Sequence, residues 1–289
     1  MTDHPSSDLD RLIDAALRRL DEENPDPDAD NPMVELHLHQ ANAATLAAAI
    51  ALCKSADQKR RRLGADILAQ LGHSSSNPLG LFRETRFAAL EETLRNEITT
   101  TDDPGVLRSV LTAFSHMKDP RAIPLGLELI GHKSADVRFG VVQALMGHED
   151  EAAIAGLIRL SSDDDSDVRD WATFALGQMI DTDSAPIRSA LHARLDDTVD
   201  DVKNEAIEGL ASRGDRTVLP VLIRELEVQL AEPLLAAACH FADPTLCPAL
   251  AIAGKQASEA KALGERLAGF WESRWRDAAI ACSCPVNEE

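Results

Sequence analysis

Apolar and small residues recur along the chain in a pattern that predicts a series of similar amphipathic helices. Counted from the first residue of each copy, they occupy positions one, five, eight, nine and twelve. Val137, Val168 and Val202 open the clearest copies, at separations of 31 and 34 residues. A period of this length is typical of a solenoid built from helical pairs, and we expect about six repeats. The remaining copies begin at Arg60, Val106 and Leu230, and in the copy that begins at Val168 the twelfth position is Met179.

A second helix, with its own start signal, precedes each patterned helix. Asp119, Asp215 and Asp243 are each suited to capping a helix, and each is soon followed by a proline. Serine, aspartate and glycine are concentrated between the two helices, for example at 161–165, and they favour turns. We find no segment that alternates apolar and polar residues as a strand does. The sequence therefore predicts an all-α chain, a right-handed α-solenoid of about six helical hairpins over residues 33–250.

These motifs together resemble a known family. The triplet Asp136-Val137-Arg138 precedes an alanine-containing helix, Leu176-Gly177 ends one, and a segment from Asp119 to Pro124 opens another. This combination resembles HEAT repeats, specifically the short bacterial type that is also found in phycobilisome lyases, over roughly residues 41 to 250. The resemblance implies the fold. It leaves function open, because HEAT repeats serve scaffolds, adaptors, inhibitors, a few lyases and a few DNA repair enzymes.

One basic residue follows the first position of several repeats. In HEAT families a cation at this position typically binds acidic groups of neighbouring repeats, so the resemblance implies a ladder of ion pairs along the stack. The alternative is that these cations simply face solvent. The expected ladder residues are Arg61, Arg138, Arg169 and Lys203, with Asp136, Asp167 and Asp201 as the available acids.

The net charge of the chain limits the kinds of partner that it can bind. The net charge is −20, and residues 163–208 carry thirteen acidic residues against four basic ones. Proteins bind nucleic acid by neutralising its phosphates with basic side chains, and a strongly acidic chain repels these phosphates. We therefore expect no nucleic-acid partner. A protein with a basic surface is favoured, although acidity also serves solubility. No secretory signal or membrane-spanning run is recognisable and the five cysteines suggest no disulfide framework, so we expect a cytoplasmic protein with no membrane partner.

The residue after the ladder position is basic in the first repeats and acidic in the later ones. The concave face would then have a charge gradient along it, which would hold a partner in a single orientation. An aromatic pair near its middle has the composition of an interface hot spot, although the same rings could fill gaps between thin helices. The residues that we expect to bind a partner are Arg62, Arg108, Phe139, Asp170, Trp171, Phe174, Asn204 and Glu208.

The two ends of the chain differ from the repeats. Residues 1–24 predict an amphipathic helix, and 25–32 an acidic Pro/Asp linker, so this helix would cap the first repeat or bind a partner. Residues 251–281 predict one long capping helix, followed by a tail at 282–289. Trp271 and Trp275 would be buried if this helix covers the last repeat, and exposed if it does not.

No candidate metal or catalytic site stands out. Cys282 and Cys284, with Cys239 and Cys247, are ligand types for zinc but lack the paired spacing of a zinc ribbon. We therefore expect no cofactor, no metal and no catalytic residue. The leading hypothesis is a non-enzymatic scaffold or adaptor that binds a partner protein through an acidic concave surface. The alternatives are an immunity or inhibitor protein that neutralises a basic, nucleic-acid-directed toxin, and a lyase subunit or other HEAT-type enzyme.

Overall fold

A computed structural model describes residues 5–20, 31–262 and 267–285 of the chain. Within these ranges the structure is helical, and the only β pairing is an isolated bridge between Ser74 and Asn77. The all-α prediction is confirmed. The chain divides into two compact units, residues 1–148 (unit 1) and 149–289 (unit 2), and the predicted repeat region contributes to both.

Unit 1 contains an N-terminal helix and three helical hairpins within its described residues. The N-terminal helix α1 (Pro5–Arg19) packs against α2 (Pro32–Val34), the π-helix Glu35–His39 and α4 (Gln58–Gln70). It buries Ile13 and Ala16, so it docks on the first repeat of its own chain. The predicted linker lies outside the described residues, apart from Asn31 and Pro32 at the start of α2. The helices are α1 (Pro5–Arg19), α2 (Pro32–Val34), α3 (Ala43–Cys53) with α4 (Gln58–Gln70), α5 (Arg83–Thr99) with α6 (Pro104–Met117), and α7 (Ala122–Leu127) with α8 (Ala135–Leu145).

Unit 2 contains four hairpins within its described residues, and short 3₁₀ turns at Arg216–Val218 and Pro244–Leu246 lead into two of the first helices. The fourth hairpin corrects the prediction of one long C-terminal helix, because two helices with separate starts occupy this region. The pairs are α9 (Glu151–Leu160) with α10 (Ser166–Gln178), α11 (Ala185–Arg194) with α12 (Asp200–Ser212), α13 (Leu219–Val228) with α14 (Glu232–Phe241), and α15 (Cys247–Ala262) with α16 (Ala268–Ala281).

The second helices of the hairpins lie side by side within each unit. In unit 1, α6 packs between α4 and α8; in unit 2, α10, α12, α14 and α16 pack in sequence. The predicted stripe forms the core, and Val106, Val168 and Val202 are fully buried. Met179 differs from the pattern, which predicts that it belongs to the buried stripe. It lies just after the last residue of α10, at the C-cap position, and it is 39% exposed.

Glycines allow two of these second helices to approach closely. A Cβ atom built on Gly209 of α12 would lie 2.6 Å from the Cα of Gly177 in α10, closer than packed carbon atoms approach. Gly209 occupies the eighth position of its repeat, where the sequence predicts a small residue. The contact brings the polar side chains of α10 and α12 next to each other.

Arg86 organises the irregular connection between α4 and α5. Arg86 is 1% exposed, and its guanidinium donates to the backbone carbonyls of Leu68, Ala69, Leu79 and Leu81. It thereby satisfies carbonyl groups at the C-terminal end of α4 that have no partner within the helix. Burial lowers the pKa of Arg86 to about 10. The repeat pattern gave no sign of this residue.

The last hairpin is joined to the tail by a disulfide bond. Cys247 at the start of α15 and Cys284 after α16 are bonded, with their Cα atoms 5.3 Å apart. The expectation that the cysteines form no disulfide is therefore wrong for this pair, because the return of the chain along α16 brings residues 37 apart in sequence together.

The tryptophans of α16 are partly buried. Trp275 packs against Gly254 of α15 and donates from its indole N–H to the Leu250 carbonyl, 2.7 Å away. Trp271 makes an edge contact with Phe270, which is itself 45% exposed. The helix thus covers α14 and α15 with one side and leaves apolar surface on the other.

Candidate functional site

The ladder cations lie in the first turn of the second helices, and the three arginines among them also bind the turn of their own hairpin. The first-turn position lets the guanidinium of Arg61, Arg138 or Arg169 reach back to the carbonyl groups of the preceding loop. Arg61 donates to the Ala56 carbonyl and Arg138 to the His132 carbonyl, each at 2.9 Å. Arg169 donates to the Asp163 carbonyl at 2.8 Å.

Three of these cations also reach an acid in the following hairpin. These acids lie at the end of the first helix of that hairpin or in the connection after it, and the sequence analysis did not predict these positions. These three acids differ from the ones that the sequence suggested, and Asp136 pairs with Arg108 at 2.8 Å. The observed pairs are Arg61 with Glu97 at 3.0 Å, Arg169 with Asp197 at 2.9 Å, and Lys203 with Glu225 at 3.5 Å.

A polar cavity of about 440 Å³ lies on the second-helix face of unit 1. Two predicted partner-binding residues, Arg62 and Arg108, line it, but both are engaged. Arg62 lies 4.0 Å from Asp66, and Arg108 pairs with Asp136 and covers the Phe139 ring at 4.9 Å. The predicted basic end of the face is therefore internally neutralised. The full lining is Arg62, Asp66, Gly105, Arg108, Ser109, Thr112, Asp136 and Gln143.

The second-helix face of unit 2 carries carboxylates with few matching cations, and we call this group the acidic cluster. Three members lie at spacings of four and three residues along one side of α12, which places them on one helical face. Among the described residues, the ion pair made by the cluster joins Glu232 to Arg274 of α16. The members are Asp170 of α10, Asp201, Glu205 and Glu208 of α12, and Glu232 of α14.

Burial and mutual repulsion shift the acidity of this cluster. Loss of solvent raises the pKa of Glu205 to about 8, and the charges of Glu208 and Asp170 add to the effect. Burial and the nearby Glu232 raise the pKa of Glu208 to about 7, and burial raises the pKa of Asp170 to about 6. The cluster therefore exchanges protons near neutral pH.

Two predicted partner-binding residues are less accessible than expected. Asn204 is 2% exposed and exchanges long hydrogen bonds with Gln229, at 3.5 and 3.4 Å, so it belongs to the packing between repeats. Glu208 is 8% exposed because α14 covers its side of α12. Asn204 is therefore not part of the accessible surface that we predicted, whereas Glu208 lies buried just beneath it.

The predicted aromatic pair lies beside Asp170 on α10. Trp171 is 40% exposed and meets Phe174 edge to face, with ring centroids 5.7 Å apart. An exposed indole supported by a second ring presents a rigid apolar surface next to the carboxylates. The structure thus brings Asp170, Trp171 and Phe174 together on one helix.

Sequence reasoning missed Glu205, which accepts a hydrogen bond from Gln178 Nε2 across the contact of α10 with α12. Its spacing of four residues from Asp201 and three from Glu208 is the signal that could have found it. In the part of the chain that the structure describes, no group of three or more His, Cys, Asp or Glu side chains is arranged to hold a metal ion.

None of the described helices is both long and apolar enough to cross a bilayer. The family model for HEAT repeats matches residues 91–177 and 157–240, which together exceed half of the chain. Protein YibA of Escherichia coli K12 is 31% identical over 210 residues, which cover 70% of this chain and 71% of YibA. YibA of E. coli O157:H7 matches equally well.

Solved structures agree with this assignment at the level of fold. The X-ray structure of E. coli YibA superposes with a TM-score of 0.62 at 23% sequence identity, over 96% of this chain and 97% of that one. The residue pattern, the paired helices and these matches lead to one conclusion: the chain belongs to the HEAT-repeat family.

Proposed function

We propose that this chain is a non-enzymatic scaffold or adaptor that binds a partner protein on the second-helix face of unit 2. The observation that carries the proposal is the exposed Trp171, supported by Phe174 and flanked by the acidic cluster. Tryptophan is enriched among the residues that dominate binding energy at protein interfaces. A rigid ring beside unneutralised carboxylates supplies both affinity and orientation.

The partner surface that fits this face is basic. Asp170 and the three cluster acids of α12 make no ion pair among the described residues. The arginines in the unit 1 cavity, in contrast, are paired with aspartates. Unneutralised carboxylates attract a cationic surface and speed its association, an effect that salt weakens. We therefore assign partner contact to unit 2.

The same surface supports the non-enzymatic part of the proposal. Its polar residues are ordered along adjacent helices as an extended binding face, which is how repeat folds recognise macromolecules. A chromophore or other small molecule that copurifies with the chain would instead favour a lyase or another HEAT-type enzyme.

Affinity capture from the native lysate tests the proposal. We expect the tagged chain to recover a basic protein in stoichiometric amount, less at high salt, and Trp171→Ala to lose it. Val228→Ala is the matched control, because Val228 is an apolar residue of unit 2 that is 71% exposed on α13. Equal recovery by wild type and Trp171→Ala would refute the assigned face. A captured partner that is a nucleic-acid-directed toxin would identify the chain as an inhibitor.

A further inference from the structure

Glu208 is a carboxylate that folding has left without a partner. Its side chain is 8% exposed, and its Oε2 atom is inaccessible to solvent and accepts no hydrogen bond from the described residues. Burying an unpaired carboxylate is costly, since neither water nor a donor replaces the lost hydration. A buried carboxylate without a partner therefore points to a ligand that supplies the missing hydrogen-bond donor.

Other carboxylates lie close to Glu208. Glu205 and Glu232 interact with it electrostatically. The Oδ1 atom of Asp170, which interacts with Glu205, is also buried without a hydrogen-bond donor. Each carboxylate oxygen can accept hydrogen bonds, so the group offers several unused acceptor positions to a donor of opposite charge.

Among the described residues, one cation lies at the edge of this group. Arg274 of α16 binds Glu232 and lies close enough to Glu208 to lower its pKa in part. The other cations of the same helices are engaged on the ladder side: Arg169 with Asp197, and Lys203 with Asp200 at 2.9 Å and with Glu225. Asp167 and Asp201, the remaining charges that face Asp170, are acidic as well.

We propose that the acidic cluster binds the guanidinium of an arginine side chain presented by the partner protein, at the carboxylates of Glu205 and Glu208. This inference rests on the proposed function and names the group that the face recognises. A guanidinium carries five N–H donors in a planar fork, which suits two neighbouring carboxylates better than a single ammonium does. Arg274 on Glu232 shows the same pairing within the chain.

Binding of this arginine is coupled to proton release. Glu205 and Glu208, whose pKa values are raised to about 8 and about 7, are partly protonated at neutral pH. A guanidinium requires them ionised, so it must displace those protons. Affinity therefore increases as pH rises from 6 to 8, whereas arginine itself keeps its charge throughout this range.

Isothermal titration of the full chain with a capped peptide, Gly-Arg-Gly-Arg-Gly, tests the proposal. The matched peptide replaces each arginine by citrulline, which has the same shape but no charge. We expect the arginine peptide to bind at least about tenfold more tightly at pH 8 than at pH 6, with proton release detected in buffers of different ionisation enthalpy. Glu208→Gln should lose about tenfold in affinity and most of the pH dependence.

The control variant is Glu227→Gln, which removes the same charge from an exposed position on α13. Equal binding of both peptides, equal losses in Glu208→Gln and Glu227→Gln, or no binding at pH 8 would each overturn the proposal. These failures are distinguishable from failure of the proposed function. Capture of the partner that still depends on Trp171 would leave the binding face standing and remove only the arginine from it.

Discussion

Replacement of Glu208 by glutamine should stabilise the protein at pH 8 and leave its stability almost unchanged at pH 4. Glutamine has nearly the shape of a protonated glutamate, so it removes the buried charge without creating a cavity. Glu208 is 8% exposed, and its pKa is raised from 4.5 to about 7, first by burial and then by Glu232. The side chain therefore costs stability whenever it must be ionised.

The sign and size follow from proton linkage. Below pH 4.5 both the folded and the unfolded chain hold the proton, and the charge costs nothing. As pH rises to 7 the unfolded chain releases the proton first, so the contribution of Glu208 to folding stability falls and then stays constant. The interval from 4.5 to about 7 corresponds to a loss of roughly 3 kcal/mol, which the glutamine variant should recover at pH 8.

Urea unfolding followed by circular dichroism measures this directly, at pH 4 and pH 8, on wild type, Glu208→Gln and the exposed control Glu227→Gln. The control should change the free energy of unfolding by less than about 0.5 kcal/mol at both pH values. The reasoning is refuted if Glu208→Gln is less stable than wild type at pH 8, or if its gain is the same at pH 4 as at pH 8.

Three further substitutions test packing within the two units, and each is followed by urea unfolding. Glu97→Gln should cost about 3 to 5 kcal/mol, because it leaves the buried Arg61 guanidinium without its carboxylate; an effect below 1 kcal/mol would show that the pair is exposed in solution. Gly209→Ala should cost about 1 to 3 kcal/mol through its clash with α10, while Gly269→Ala, where a Cβ meets nothing within 4 Å, should be neutral or slightly stabilising. Arg86→Met should cost several kcal/mol because it leaves backbone carbonyls at the end of α4 without a donor; protease cleavage at residues 71–82 should increase, and an unchanged cleavage rate would contradict this role.

The repeat pattern predicted the second helices well because their burial follows from local periodicity. Val106, Val168 and Val202 are all fully buried, as their positions in the pattern require. The pattern could not say where a helix ends, so Met179 fell beyond α10 and remained exposed. The break between α15 and α16 escaped prediction for the same reason, since the apolar spacing continues across it.

Side-chain partners between repeats were less predictable than the helices. The cations of the ladder lie at a repeated position, but their acids were harder to recognise. Asp197 and Glu225 each lie five residues before the first position of the next copy, whereas Glu97 lies nine residues before it. Asn204 and Glu208 are buried because α14 packs over part of α12, and sequence spacing alone does not give that rotation. Candidate surfaces in repeat proteins therefore need the rotation of each helix as well as its sequence.

The ladder also bears on how such chains change in length during evolution. A hairpin of unit 2 carries a cation for the repeat that follows and an acid for the repeat that precedes it, as Lys203 and Asp197 do for the hairpin of α11 and α12. Duplication of a whole hairpin in register copies the cation and the acid of this pairing together. A repeat can therefore be gained or lost without leaving a charge unmatched, so selection can act on the number of repeats separately from the residues that face a partner.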